Sequence, residues 1–172
     1  MSPKLRYARR CASLLLVSLV TFVVVGKAQE VAPRPVLDDR LPVRELTLGN
    51  GVKVIADINY AVVPGFRPLT LDVYLPGSAP KAGVPGAPLL VFIHGGGWVA
   101  GERRCAELDK YLAAGISVVA ISYRFIDDAI DAGVKPPVQA PLHDAARALQ
   151  FVRSKSKEWN IDKFRIGASG GS

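Results

Sequence analysis

Leu89 to Trp98 reads Leu-Leu-Val-Phe-Ile-His-Gly-Gly-Gly-Trp. Five apolar residues in a row, with Ala87-Pro88 before them and His94 and three glycines after, predict a strand buried on both faces. Such a strand belongs inside a sheet flanked by helices, which points to the α/β class. The glycines let the backbone turn sharply and bring bare N–H groups close to a ligand, since no Cβ intervenes. Amides beside a strand end can hold a negative oxygen, which acyl-transfer chemistry needs at its tetrahedral stage. Three glycines alone also fit an ordinary turn after a core strand. The histidine in front, the tryptophan behind and a serine turn far downstream favour chemistry.

The other elements fall on either side of this run. The turn signal Asn50-Gly51 opens a strand over Val52–Ala56, with Glu45–Leu48 as a short candidate hairpin partner. Alternation over Leu69–Leu75 puts Leu69, Leu71, Val73 and Leu75 on one face. After the glycines, Cys105, Leu108 and Leu112 predict a helix over Arg103–Ala114, stopped by Gly115. A buried strand follows at Ile116–Ser122, then a mixed loop from Tyr123 to Pro137. Leu142, Ala145, Leu149 and Val152 mark the apolar face of a helix that reaches toward Lys157. Phe164–Ala168 is the last strand, leading into Ser169-Gly170-Gly171-Ser172. Strand, helix, strand, helix, strand over Leu89–Ala168 implies crossovers and parallel pairing, with the earlier strands as an antiparallel edge. The sequence contains no internal repeat.

Residues 1–28 read as a secretory signal. Lys4, Arg6, Arg9 and Arg10 precede a mostly apolar run from Cys11 to Val25, and Gly26-Lys27-Ala28 offers a cleavage site. The alternative is an uncleaved membrane anchor, for which fifteen residues are short of the roughly 20 that a span needs. The expected location is therefore periplasmic or extracellular, with contact to a membrane only through this segment. Residues 29–44, with Pro33, Pro35 and Pro42, read as a tether ahead of the domain at 45–172. Loss of the signal removes five basic residues and no acids, taking the formal charge from +7 to +2. No basic stripe with interleaved aromatics is present, so a nucleic-acid partner is not expected. Cys105 is then the one remaining thiol, with no companion for a disulfide or metal site, and reads as a packed, inert residue. Asp127, Asp128 and Asp131 read as solvated, and no metal or organic cofactor is implied. Gly95 and Gly97 lack the third glycine of a dinucleotide fingerprint, since position 100 is Ala.

His94-Gly95-Gly96-Gly97-Trp98 after one strand, followed by a glycine-serine turn after a later one, resembles the α/β-hydrolase superfamily. Within it the sequence is similar to the esterase and lipase branch that holds hormone-sensitive lipase and bacterial feruloyl-type carbohydrate esterases. The resemblance runs from about Val52 to Ser172. It implies an α/β-hydrolase fold with a mostly parallel sheet, here ending just after the nucleophile strand. It also implies a serine nucleophile and an oxyanion hole built from the amides of Gly96 and Gly97, with His94, Gly95 and Trp98 supporting the motif. His94 would shape the loop, and Trp98 and Gly101 would pack and bend it, with Trp98 also a candidate wall of the acyl pocket. Tyr123-Arg124 resembles a pair common in this branch and, like Asp72, reads as structural.

Two serines compete for the nucleophile. Gly167-Ala168-Ser169-Gly170-Gly171 satisfies G-x-S-x-G, while Gly170-Gly171-Ser172 satisfies its first half. An elbow serine sits at the top of a strand, and strands run about five or six residues. Ser169 leaves only Phe164–Ile166 before the turn, whereas Ser172 leaves Phe164–Ser169. Members of the resembling branch also keep an Arg-Ile-Gly run several residues ahead of the reactive serine, here Arg165-Ile166-Gly167. Ser172 is favoured, with Ser169 the alternative. His143 beside Asp144 invites a relay reading, but the order in this fold is serine, acid, histidine, so His143 reads as structural. No acid or histidine follows Ser172, so the expected molecule is the front portion of an esterase, inactive or insoluble alone. Its expected substrate is a small ester or an acylated carbohydrate. The alternatives are a hydrolase-like binding protein without catalysis and a serine peptidase of the same fold.

Overall fold

The computed structural model describes residues 42–78, 86–104 and 108–171. The expected signal, most of the tether, Cys105 and Ser172 lie outside the described residues. Six strands form one sheet: β1 (Arg44–Thr47), β2 (Lys53–Ala61), β3 (Leu69–Leu75), β4 (Ala87–Ile93), β5 (Ser117–Ile121) and β6 (Ile161–Gly170). Three helices accompany them: α1 (Asp109–Ala113), α2 (Ile126–Asp131) and α3 (Gln139–Ser154). The strand order is β1-β2-β3-β5-β4-β6.

The sheet is mixed, which corrects the expectation of a mostly parallel one. β1–β2, β2–β3 and β3–β5 pair antiparallel, while β4–β5 and β4–β6 pair parallel. Short connections at the start of the chain allow only antiparallel neighbours, and parallel pairing begins where helical crossovers become long enough. The swap of β4 and β5 in the order brings the strand ahead of the glycines between the two strands that follow them.

Period-two alternation divides the sheet between two apolar clusters. Leu89 and Val91 of β4, Val119 and Ile121 of β5, and Leu71 and Val73 of β3 meet Ala148 and Val152 of α3. On the other side Val118, Leu90, Phe92 and Val54 meet Leu108 and Leu112. β5 is buried along its whole length. β4 is not: Leu90, Phe92 and Ile93 are only partly covered, against the expectation of a strand buried on both faces. Leu90 and Phe92 lie on the side of α1, a helix of five residues that is too short to cover them, and Ile93 lies on the side of α3.

Two other expectations change. The helix predicted over Arg103–Ala114 is found as α1 over Asp109–Ala113, and Arg103 and Arg104 lie ahead of it with their side chains on carboxylates of β2 and β3. The Tyr123–Pro137 stretch is not all loop. It contains α2, whose first turn is held by the Asp128 carboxylate accepting the Phe125 amide at 2.7 Å and whose Ala129 is buried. Among the described residues no helix is long and apolar enough to cross a membrane.

Candidate active site

The glycine loop leaves the C-terminal end of β4 with its first residue fixed. His94 is buried, and its ring stacks on Tyr123 at 4.3 Å and 15° with Phe125 edge-on at 6.1 Å. The Tyr123 hydroxyl donates to the His94 carbonyl at 2.6 Å. Burial raises the Tyr123 pKa, so the phenol stays protonated and able to donate. The Gly96 carbonyl then accepts the amides of Val99 and Ala100 at 3.0 and 3.1 Å, closing a tight turn.

Two glycines here are required by space as well as by conformation. Gly96 has φ +115°, and a Cβ on it would come within 2.1 Å of the Ala100 carbonyl oxygen. Gly101 has φ +109°, and a Cβ there would meet the Gly95 carbonyl oxygen at 2.3 Å and His94 Nδ1 at 2.5 Å. Gly97 differs, since open space surrounds the place its Cβ would take. Trp98 does not pack as expected. It is 52% exposed with φ +62°, a strained conformation for a bulky residue. Its carbonyl accepts the Ile126 amide at 2.9 Å, which ties the loop to the start of α2.

The far end of the loop is held by charge. Asp57 sits at an irregularity in β2 with φ +62°, and its amide donates to Asp72 Oδ1 at 2.8 Å. A bulge of this kind re-aims a side chain. The Asp57 carboxylate accepts from Arg44 at 2.5 and 2.9 Å, from Arg104 at 2.9 Å and from Arg103. Arg103 Nε also lies 2.9 Å from Asp72 Oδ2, and its Nη1 donates to Ser122 Oγ at 3.0 Å. Burial alone would raise the Asp57 carboxyl, but the guanidiniums of Arg44, Arg103 and Arg104 outweigh it and hold the group below the usual carboxylate range. Sequence reading had Asp72 as structural and passed over Asp57. The available signal was an acid inside each of two apolar strands followed by a pair of arginines.

A second buried pair stands beside Tyr123. Arg124 donates through Nε and Nη2 to the two oxygens of Asp144 at 2.7 and 2.8 Å, and Arg147 adds a contact at 2.7 Å. The hydrogen bond with Asp144 raises the Arg124 pKa further. His143 is exposed on α3. Among the described residues no group of His, Cys, Asp and Glu could hold a metal ion.

Of the two candidate serines, Ser169 lies within β6 and Ser172 lies outside the described residues. The pairing of β6 with β4 places Ser169 opposite Phe92 and Gly170 opposite Ile93. Ser169 is thus inside a strand, not at a turn. Gly170, two residues short of Ser172, lies next to the residue that precedes His94. β6 itself is longer than expected, running from Ile161 to Gly170.

A family model for BD-FAE matches residues 71–172. No curated protein matches the chain. Among solved structures, a truncated form of a carbohydrate esterase from gut microbiota is 26% identical with a TM-score of 0.54, over 73% of this chain and 42% of that one. A thermophilic esterase, Est2, from the planctomycete Thermogutta terrifontis is 27% identical with a TM-score of 0.55, over 71% and 40%. A bifunctional GH43-CE protein of Bacteroides eggerthii is 28% identical with a TM-score of 0.54, over 69% and 16%. The chain therefore spans about two fifths of the length of the two esterases. The strand, the glycine loop and the last strand all fall inside the matched stretch, and the chain belongs to the BD-FAE family of α/β-hydrolase esterases.

Proposed function

We propose that the chain is the nucleophile-bearing portion of an exported serine esterase. Ser172 Oγ attacks the ester carbonyl, and the amides of Gly96 and Gly97 receive the developing oxyanion. The alcohol leaves with a proton, and water then releases the acyl group. The base that moves these protons is a histidine paired with an acid, both placed after the serine in this fold. The observation that carries the reading is the register of β4 and β6: Ile93, one residue before the loop, is paired with Gly170, two residues before Ser172. Two residues span about 7 Å at most, and this supports pairing Ser172 with the loop that follows Ile93.

The basic and apolar start of the sequence supports export through a signal over residues 1–28, with 29–44 as tether. A small ester or an acylated carbohydrate is the substrate class. The Thermogutta esterase has propionate-bound and butyrate-bound forms, which favours short acyl groups as first probes. The test uses p-nitrophenyl butyrate on the 172-residue chain and on a chain lengthened, by its own downstream coding sequence, to the span of its esterase relatives. The short chain gives no turnover. The long one does, and Ser172→Ala lowers it by about 10⁵-fold or more while Ser169→Ala leaves most of it. Full turnover by Ser172→Ala, or by the short chain, overturns the assignment.

A further inference from the structure

The glycine loop is held at its start and at its finish by two consecutive residues. At its start the Tyr123 hydroxyl donates to the His94 carbonyl at 2.6 Å. At its finish Arg103 Nη1 donates to Ser122 Oγ at 3.0 Å. Ser122 directly follows β5 and directly precedes Tyr123. One short stretch of backbone therefore faces both ends of the loop, and whatever fixes Ser122 also fixes the spacing between them.

Ser122 is tied through each of its polar groups to a different part of the fold. Its amide donates to the Thr70 carbonyl on β3 at 2.9 Å. Its carbonyl accepts the Tyr60 hydroxyl from β2 at 2.5 Å. Burial pushes the Tyr60 phenol up, so it stays protonated and able to donate. The Ser122 hydroxyl is left for Arg103. The guanidinium there is a rigid planar fork, and its three nitrogens face three elements: Asp57 on β2, Asp72 on β3 and Ser122 at the end of β5. The two carboxylates neutralise the cation. The third contact sets the plane of the fork against the strand end that also carries Tyr123.

We infer that Ser122 is a positioning residue, whose hydroxyl joins the two ends of the glycine loop and thereby sets where the Gly96 and Gly97 amides point. The catalytic consequence rests on the oxyanion role proposed for those amides, whereas the tie itself is a property of the fold.

Ser122→Ala removes the hydroxyl and leaves both backbone hydrogen bonds, so Thr70 and Tyr60 keep their partners. Amide hydrogen exchange, read on the 172-residue chain and on the lengthened one, reports the loop directly. The Val99 and Ala100 amides rest on the Gly96 carbonyl and the Ile126 amide on the Trp98 carbonyl. In Ser122→Ala these three exchange about tenfold faster, while amides within β4 and β5 keep their rates. Ser122→Thr, which retains a hydroxyl, restores the slow exchange. In the lengthened chain Ser122→Ala lowers kcat for p-nitrophenyl butyrate by about tenfold and leaves KM in place, as expected when oxyanion donors are loosened and ground-state binding is not. Unchanged exchange means that the two carboxylates hold Arg103 by themselves, and overturns the tie. Faster exchange throughout the sheet is a general loss of stability and overturns it as well. Faster loop exchange with an unchanged kcat overturns the role in placing the amides. A lengthened wild-type chain without ester turnover removes the esterase reading, and the exchange rates then decide the tie alone.

Discussion

Replacing Tyr123 by Phe removes one oxygen and nothing else, which makes it the sharpest probe of how the glycine loop is held. The ring keeps its stack on His94 at 4.3 Å, so the packing loss is small. What disappears is the 2.6 Å hydrogen bond to the buried His94 carbonyl. A buried acceptor stripped of its donor costs about 1–3 kcal/mol, against about 0.5–1.5 for a hydrogen bond whose partners can both find water. Water has little access here, because His94 and Tyr123 are both buried. We therefore expect about 2 kcal/mol. With a urea m-value of about 2 kcal/mol/M, the midpoint moves down by about 1 M. Circular dichroism across a urea series reads this directly, with m unchanged. A shift below about 0.3 M would mean that the His94 carbonyl is not desolvated as the structure has it, and the loop would need another anchor.

Gly101→Ala places a methyl within 2.3 Å of the Gly95 oxygen at a φ of +109°. It costs about 1–3 kcal/mol from backbone strain alone, read as a fall in the thermal midpoint, whereas Gly97→Ala, with open space around it, costs less. Asp144→Asn leaves buried Arg124 without its counter-charge and destabilises by about 3–5 kcal/mol in the same urea assay. The Asp57 carboxyl lies below its unfolded value of about 3.9, so its contribution is complete above about pH 4 and is lost as pH falls through the lower folded value. Urea midpoints measured between pH 6 and pH 2.5 should decline in that lower window. Asp57→Asn should flatten part of the decline.

The strands that carry the site were legible because their signal is local. Leu69–Leu75 was read with its observed bounds, and β5 was read within one residue at each end, since alternation and unbroken apolar runs belong to the segment itself. What the segment does not contain was missed. Nothing within Arg103-Arg104 says that partners wait on β2 and β3, 31 to 47 residues upstream. The mixed sheet was half-read for the same reason: the antiparallel edge was foreseen, but not that β3 pairs antiparallel with β5 instead of leading into a parallel neighbour. The resemblance implied that Trp98 packs the loop, whereas it has φ +62° and a half-exposed side chain. The preference for Ser172 over Ser169 rested on strand length and on the Arg165-Ile166-Gly167 run; β6 continues through Ser169 to Gly170, and Ser172 itself lies outside the described residues.

The loop over residues 94–104 is thus exposed at its middle and tied at its ends. Its first residue is clamped by a phenol and an aromatic stack, and its far side by two arginines on two buried carboxylates. The clamping residue Tyr123 is itself followed by Arg124, locked to Asp144 on α3. Buried ion pairs of this sort add little net stability, because desolvation offsets most of the attraction. Their directional hydrogen bonds nevertheless fix where a backbone runs, in a way that apolar contacts do not. An apolar anchor of equal volume could match the folding free energy and still let the backbone at Gly96 and Gly97 wander, which the oxyanion role proposed for their amides would not tolerate. The charges flanking the loop are therefore better accounted for by the placement of its amides than by the stability of the sheet.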